Sequence, residues 1–492
     1  MQRALIISLC LIVVLSGLLA DREPDSAPEL FPLASASNWV EGNGRALNLE
    51  LQWPGVHPLH TVKIGQSQLP STPPVMSVYN AVMVKVYTAI SGRSLDSADI
   101  PKVSWWINFA AVAPWAIFLY LGMLKLAGIW ERRGGIHMHW AAWASMAGSM
   151  AFGWFGMAGV YLPVAAISVW LFSIVIDSDK KIGVGRYLLA GLGGGLSGMY
   201  HPSGWLFAIW GVLYMSIGSG NGQAGKSRMT GIRFLAIGAI VGMLISLGLN
   251  WLFFGRITPV QWISSGQMLN PGTVGGFLRQ LAGDLVGWNG IIWLAPLAIA
   301  GVLRLAGSAD NDKSGSVFRL TTGILVAVLL VWGVAEGARN VAVNDSIPVQ
   351  LKIMPVEVEA GTFKIVDLGP SSGSEEDRNA YFERVVNRTD VFVWNGGRSP
   401  GIPVMMPVLL ILALYGWCSA GDSGFRAWWK WIGVRFGLIF GLIASQAAWG
   451  NISEAYLWVG TLPNAGHMPM LEAVFAVAIR IAEWLPSGII TF

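Results

Sequence analysis

Four carboxylates, Asp21, Glu23, Asp25 and Glu29, fall within nine residues directly after the first apolar run of the chain. A carboxylate held just outside a membrane can act as a general base toward an acceptor hydroxyl, or orient it. Asp25 and Glu29 stand farthest from the apolar run and have the chain length to fold back over it. The same cluster also reads as a solvated acidic linker, and residue types alone leave both readings open. Beyond it the chain turns small and apolar and closes on a Gly-Asn-Gly turn at Gly42 to Gly44.

Two further constellations carry chemistry. His201 sits in MYHPSGW, Met199 to Trp205, between two apolar runs. A histidine there could donate to a phosphate or a sugar hydroxyl, or it could be a turn residue ahead of Pro202 that caps the preceding helix. Arg256 follows the aromatic exit LNWLFF, and Arg279 lies in the same loop. Both suit an anionic ligand such as a lipid phosphate; the alternative is an interface anchor. His57 and His60 have metal-like spacing with no third ligand in view, so no metal site and no cofactor are expected. His137 and His139 read as interface residues. Gly193, Gly194 and Gly195 lie in an apolar run with no Walker lysine after them, which suits close helix contact rather than nucleotide binding. Cys10 and Cys418 lie in apolar runs and form no disulfide framework.

The elements that must position these groups are membrane helices. Hydrophobic residues make up 54% of the 492 positions and charged residues 12%, about half the usual soluble share, with mean hydropathy +0.55. Apolar runs near span length fall at 3–20, 103–130, 139–158, 160–177, 186–200, 202–218, 232–254, 288–306, 317–336, 402–420 and 432–449. The fold class expected is therefore an all-α polytopic membrane protein of about 11 transmembrane helices. The run 3–20 is either a cleavable signal peptide or a first span; the missing small residue upstream of Ala20 favours the span. Lysine and arginine divide fifteen to two between the two sets of span ends, with Arg256 and Arg279 the minority. By the positive-inside rule the N-terminus is cytoplasmic, and 21–102, 255–287, 337–401 and 450–492 lie outside. The net charge of +4 suggests no nucleic-acid partner. Many of the 25 tryptophans suit interfacial belts.

Four regions result. Residues 1–336 form a transmembrane core that includes the outer loop 21–102, where Pro73 to Ser91 reads as a helix lying at or dipping into the interface. Residues 337–401 form a small extracytoplasmic α+β insertion, with a hairpin turning at Ala360-Gly361 and a helix from Ser374. Residues 402–449 hold the last two spans. Residues 450–492 are an extracytoplasmic tail with an amphipathic helix at Leu471 to Leu485. The sequons Asn387-Arg388-Thr389 and Asn451-Ile452-Ser453 fall outside the spans. A transporter reading is disfavoured because the spans hold few ionisable residues.

The order of motifs carries a resemblance. SNWVEGNG (Ser37 to Gly44), a Thr72-Pro73-Pro74 lead into a helix, the hairpin RYLLAGLGGGLSGMYHPSGWLFAIW (Arg186 to Trp210) and the exit NWLFFGRITPVQW (Asn250 to Trp262) follow a first span in sequence. Over about residues 1–306 this resembles the GT-C class of membrane glycosyltransferases, to which protein mannosyltransferases and lipid A aminoarabinose transferases belong. The resemblance implies sugar transfer from a polyprenyl-phosphate donor to an acceptor glycan, lipid or protein at the extracytoplasmic face of the bacterial inner (cytoplasmic) membrane. It implies Glu29, then Asp25, as the acceptor base, and His201, Arg256 and Arg279 as the donor-phosphate group. His201 stands where Arg or Lys is usual, and the adjacent acidic pair of many members is absent. The alternative it leaves is a non-catalytic GT-C-like scaffold subunit with membrane protein partners.

Overall fold

The computed structural model describes residues 2–20, 27–46, 48–50, 61–64, 67–70, 72–92, 95, 100–131, 134–147, 149, 151, 154–155, 158–177, 183–217, 223–260, single turns between 277 and 295, 295–307, 313–346, 356–359, 362–366 and 404–419. The protein is mostly helical with few strands, an integral membrane protein by the length and apolarity of its helices. In chain order these are α1 (Gln2–Leu19), α2 (Ala27–Val40), β1 (Asn48–Glu50), β2 (Thr61–Ile64), β3 (Ser67–Pro70), α3 (Pro74–Ser91), α4 (Ile100–Trp130), α5 (Ile136–Ala147), α6 (Tyr161–Ile176), α7 (Val184–Ser197), α8 (Gly204–Ile217), α9 (Gln223–Phe254), α10 (Pro296–Gly307), α11 (Lys313–Ser346), β4 (Val356–Glu359), β5 (Thr362–Val366) and α12 (Val404–Ser419).

A helix stands at every expected span up to residue 419; the span at 432–449 and the tail lie outside the described residues. Among the described residues, four helices are long and apolar enough to cross a membrane: Gln2–Leu19, Lys102–Trp130, Arg228–Phe254 and Ser316–Ala335. Several of the others are shorter. α7 and α8 have 14 residues each, a rise of about 21 Å against a hydrocarbon core of about 30 Å. α5 stops at Ala147, well before the expected 158. The sequence beyond it carries Gly148, Gly153, Gly156 and Gly159, apolar enough for a span but poor for helix.

Glycine does the opposite between α7 and α9, where it brings two backbones together. A Cβ on Gly191 would overlap Leu235 O, and one on Gly195 would overlap Ala239 O. In return, Gly238 faces Leu188 O and Gly242 faces Leu192 O. The two helices therefore run parallel, with Gly191 and Gly195 on one and Gly238 and Gly242 on the other, a small-residue interface of the kind membranes favour. α10 and α12 touch in the same way through Gly301 and Gly416. The core lies around α6, which is buried along most of its length, and includes the fully buried Tyr120, Phe155, Phe172 and Phe207.

The face that carries α2, α3 and the strands is the loop face; the opposite one, with most of the Lys and Arg, is the basic face. On the loop face α3 begins at Pro73 and Pro74, where a missing N–H costs nothing, and ends at Gly92 in the left-handed region (φ 70°). The expected hairpin at Ala360-Gly361 forms, with Val356 opposite Ile365 and Glu359 opposite Thr362. β1 then adds to it in parallel, Asn48 with Lys364 and Glu50 with Val366, giving the order β1-β5-β4. The first loop and the insertion thus share one sheet. α11 runs on to Ser346, ten residues past the expected boundary at 336.

At the basic face, His139 departs from the interfacial reading. It is buried, with its Nδ1 2.6 Å from the Tyr120 hydroxyl, while His137 is exposed.

Candidate functional site

The loop between the first apolar run and α3 is built around the end of α2. After Val40 the chain turns through Gly42 and Gly44, both at φ near 80°, where a Cβ is disfavoured and glycine is not. Side chains of α2 close the turn: the Ser35 hydroxyl donates to Arg45 O at 2.8 Å and the Asn38 amide donates to Ala46 O at 3.0 Å. Asn43 N–H returns to Asn38 O at 2.9 Å.

This turn docks on the end of α9. Trp39 meets Phe253 edge to face, with ring centroids 6.0 Å apart. The Arg45 guanidinium lies 4.6 Å from the Phe253 ring centroid and 5.7 Å from that of Trp39, and reaches Phe253 O at 3.4 Å. The β2–β3 hairpin reaches the same place, its Leu69 packing with Phe254 and Val260. Two motifs distant in sequence, SNWVEGNG and NWLFFGR, are therefore in direct contact.

The electrostatics of the turn are uneven. Arg45 is half-buried, and desolvation lowers its pKa. Glu41, at the turn, has its pKa raised by burial. Its Oε2 is inaccessible and, among the described residues, without a hydrogen-bond partner. Sequence reasoning passed over both residues. Glu41 was visible as the acidic member of the Gly turn, and Arg45 fell in a long outer segment where cations carry no topological signal.

The expected site residues divide. Glu29 lies in the first turn of α2. Asp25 and Arg279 lie outside the described residues, as do His57 and His60. Arg256 is exposed, two residues past the end of α9, after Gly255 has closed the helix with its N–H on Trp251 O at 2.8 Å. His201 is buried, 3% exposed, in the turn between α7 and α8. Ser203 contacts its Nδ1 twice, through Oγ at 2.7 Å and by donation from the backbone N–H at 3.2 Å. The backbone donation marks Nδ1 as an acceptor. Tyr161 and Trp332 flank the ring, with centroids at 5.3 and 6.4 Å.

Depth separates these groups. Gly195 of α7 is level with Ala239 to Met243 of α9. α7 ends two residues later, whereas α9 continues to Phe254, a further rise of about 15 Å. His201 therefore sits in the bundle, below the level of Phe253, Arg45 and Arg256. α3 links the two depths. It is held by the Tyr79 hydroxyl donating to Ile107 O of α4 at 3.0 Å. Burial, and then the nearby Tyr200 phenol, raise the Tyr79 pKa. Tyr200, next to His201, meets Trp115 edge to face at 5.7 Å. Asn108 of α4 accepts the Ala158 N–H at 2.8 Å and ties the turn before α6 to the same wall.

Neither protein-family models nor curated proteins match the chain. A partly similar solved structure is the archaeal oligosaccharyltransferase AglB from Archaeoglobus fulgidus, in complex with an inhibitory peptide and a dolichol-phosphate. It shares 10% identity with this chain at a TM-score of 0.34, over 97% of this chain and 56% of that one. The chain thus spans little more than half the length of that protein.

Proposed function

We propose that this protein is a GT-C-like membrane glycosyltransferase. It moves a sugar from a polyprenyl-phosphate donor to an acceptor glycan, lipid or protein at its loop face, which the distribution of Lys and Arg assigns to the extracytoplasmic side. The observation that carries this reading is the docking of the Ser37–Gly44 turn on the end of α9 through Trp39 and Phe253. It joins two motifs of the resemblance and puts a carboxylate and two arginines, Glu41, Arg45 and Arg256, at one end of one helix. The reaction is an inverting displacement at the anomeric carbon. A carboxylate of the α2 segment, Glu29 or Asp25 by family position, takes the proton of the acceptor hydroxyl. Arg256, exposed beyond α9, and Arg279, in the same loop by sequence, receive the departing lipid phosphate. His201, its Nδ1 held by Ser203, lies deeper in the bundle. No cofactor is required beyond the lipid-linked sugar.

The test uses the full chain in nanodiscs with an undecaprenyl-phosphate-linked pentose or hexose and isolated envelope acceptors. Release of undecaprenyl phosphate together with transfer of the sugar is expected. No turnover with either donor class, with stable co-purification of other membrane subunits, would instead identify the scaffold that the missing acidic pair allows.

A further inference from the structure

α3 turns its apolar residues outward. Val78, Val82, Val86, Ala89 and Ile90 are exposed, and at about 100° per residue they fall within one arc of about 120°. Ile90 is 78% exposed and Val82 53%. The opposite side, with Met76, Ser77, Asn80 and Val84, is buried. Nearby hydroxyls turn back onto the helix: Thr88 donates to Lys85 O at 3.0 Å and Ser91 to Thr88 O at 3.3 Å. Lys85, exposed at the edge of the arc, is the one charged residue of α3.

The height of α3 follows from α4. The Tyr79 hydroxyl holds it to Ile107 O, and Ile107 stands about 35 Å of helical rise from Trp130, at the basic-face end of α4. A bilayer has a hydrocarbon core of about 30 Å and a thickness of about 40–45 Å with its headgroups. The Tyr79–Ile107 bond therefore lies at the headgroup layer of the loop face. Exposed tryptophans mark the same level: Trp106, beside Ile107, and Trp251, again about 35 Å from Arg228 along α9. The exposed arc begins at Val78, next to Tyr79, and so continues from that belt.

We propose that α3 is a docking surface for bilayer lipid. Val78, Val82, Val86 and Ile90 enter the upper acyl chains of the loop-face leaflet, and the Lys85 stem follows them with its ammonium among the lipid phosphates. Apolarity alone puts Pro73–Ser91 at the interface; burial chooses the face that enters it. On the other side of α3, Val84 packs with Leu33, Ala34 and Ala36 of α2. Lipid on one side of this helix thus supports the first loop on the other, whatever reaction the protein performs.

Single-cysteine variants of the full chain test this in a Cys10→Ala, Cys418→Ala background. Val82→Cys, Val86→Cys and Ile90→Cys sample the exposed arc, and Asn43→Cys, on the exposed turn, is the water reference. Each carries a nitrobenzoxadiazole label in nanodiscs of phosphatidylglycerol and phosphatidylethanolamine. Quenching is measured with lipid that bears a nitroxide in its upper acyl chain and, separately, with aqueous iodide. The three α3 labels should lose most of their emission to the nitroxide lipid and little to iodide, with the Asn43 label open to iodide. α3 labels that iodide quenches and the nitroxide lipid does not overturn the proposal. So do α3 labels shielded from both, which mark a protein surface over this face.

Discussion

Trp39 and Phe253 meet edge to face at an interplanar angle of 82°, one at the end of α2 and the other at the end of α9. Arg45 lies over both rings. This contact adds to the packing of Leu33, Ala34 and Ala36 of α2 with Val84 of α3 and with Val103 and Ile107 of α4. An aromatic pair of this geometry contributes about 0.5–1.5 kcal/mol beyond its burial. A double-mutant cycle of Trp39→Ala and Phe253→Ala, read by thermal unfolding in nanodiscs, should show a coupling in that range. Additive effects would place the two rings apart.

Glu41 gives a prediction on stability that does not depend on activity. Its folded pKa lies above the ordinary value of 4.5, so the folded state holds the proton more tightly than the unfolded chain does. Stability therefore falls as pH rises from about 4.5 through the folded pKa. Once ionised, the unpartnered side chain is a standing cost. Glu41→Gln should raise the melting temperature at pH 7, and the gain should vanish at pH 4. A lower melting temperature at pH 7 would mean that the carboxylate has a partner.

The α7–α9 interface separates two glycines, two residues apart, sharply. A Cβ on Gly195 would strike the backbone of α9, while one on Gly193 meets only Ile167 Cγ2 at 3.4 Å. Gly195→Ala should destabilise by about 1–3 kcal/mol, and Gly193→Ala should be close to neutral. Heat-induced aggregation of the two variants in detergent checks this contrast.

The parallel pairing of β1 with β5 can be captured covalently. Leu49 and Ile365 are register partners, at a spacing that a disulfide can span. The double variant Leu49→Cys, Ile365→Cys should cross-link under mild oxidation. After proteolytic cleavage between the two positions, the fragments should stay joined until reduced. Fragments that separate without reductant would refute the shared sheet.

The helices were legible in the sequence because apolar runs and their lengths are set by the bilayer. The hairpin at Ala360-Gly361 was legible too, since its partners are neighbours in the chain. The ends of α5 and α11 were not, because apolarity marks what can enter a membrane and says little about where a helix stops. Glu29 and Asp25 follow from family position along the sequence, which contains no depth. The sequence showed Glu41 only as a turn residue; its significance comes from what surrounds it. Arg45 was hidden for a related reason, since its role depends on Phe253, a residue many helices away. The separation of His201 from Arg256 follows from a helix length difference that only the α7–α9 register reveals.

The union of β1 with β5 also bears on how the protein is made. Synthesis runs at about 5–20 residues per second, so the strand Thr362–Val366 emerges roughly 15–60 s after Asn48–Glu50. Throughout that interval the first loop waits with an unpaired strand edge while the intervening helices are threaded into the bilayer. Biogenesis therefore contains a late fastening step, and a chain stalled or truncated before residue 362 would present an open β edge that other proteins, including chaperones, could bind.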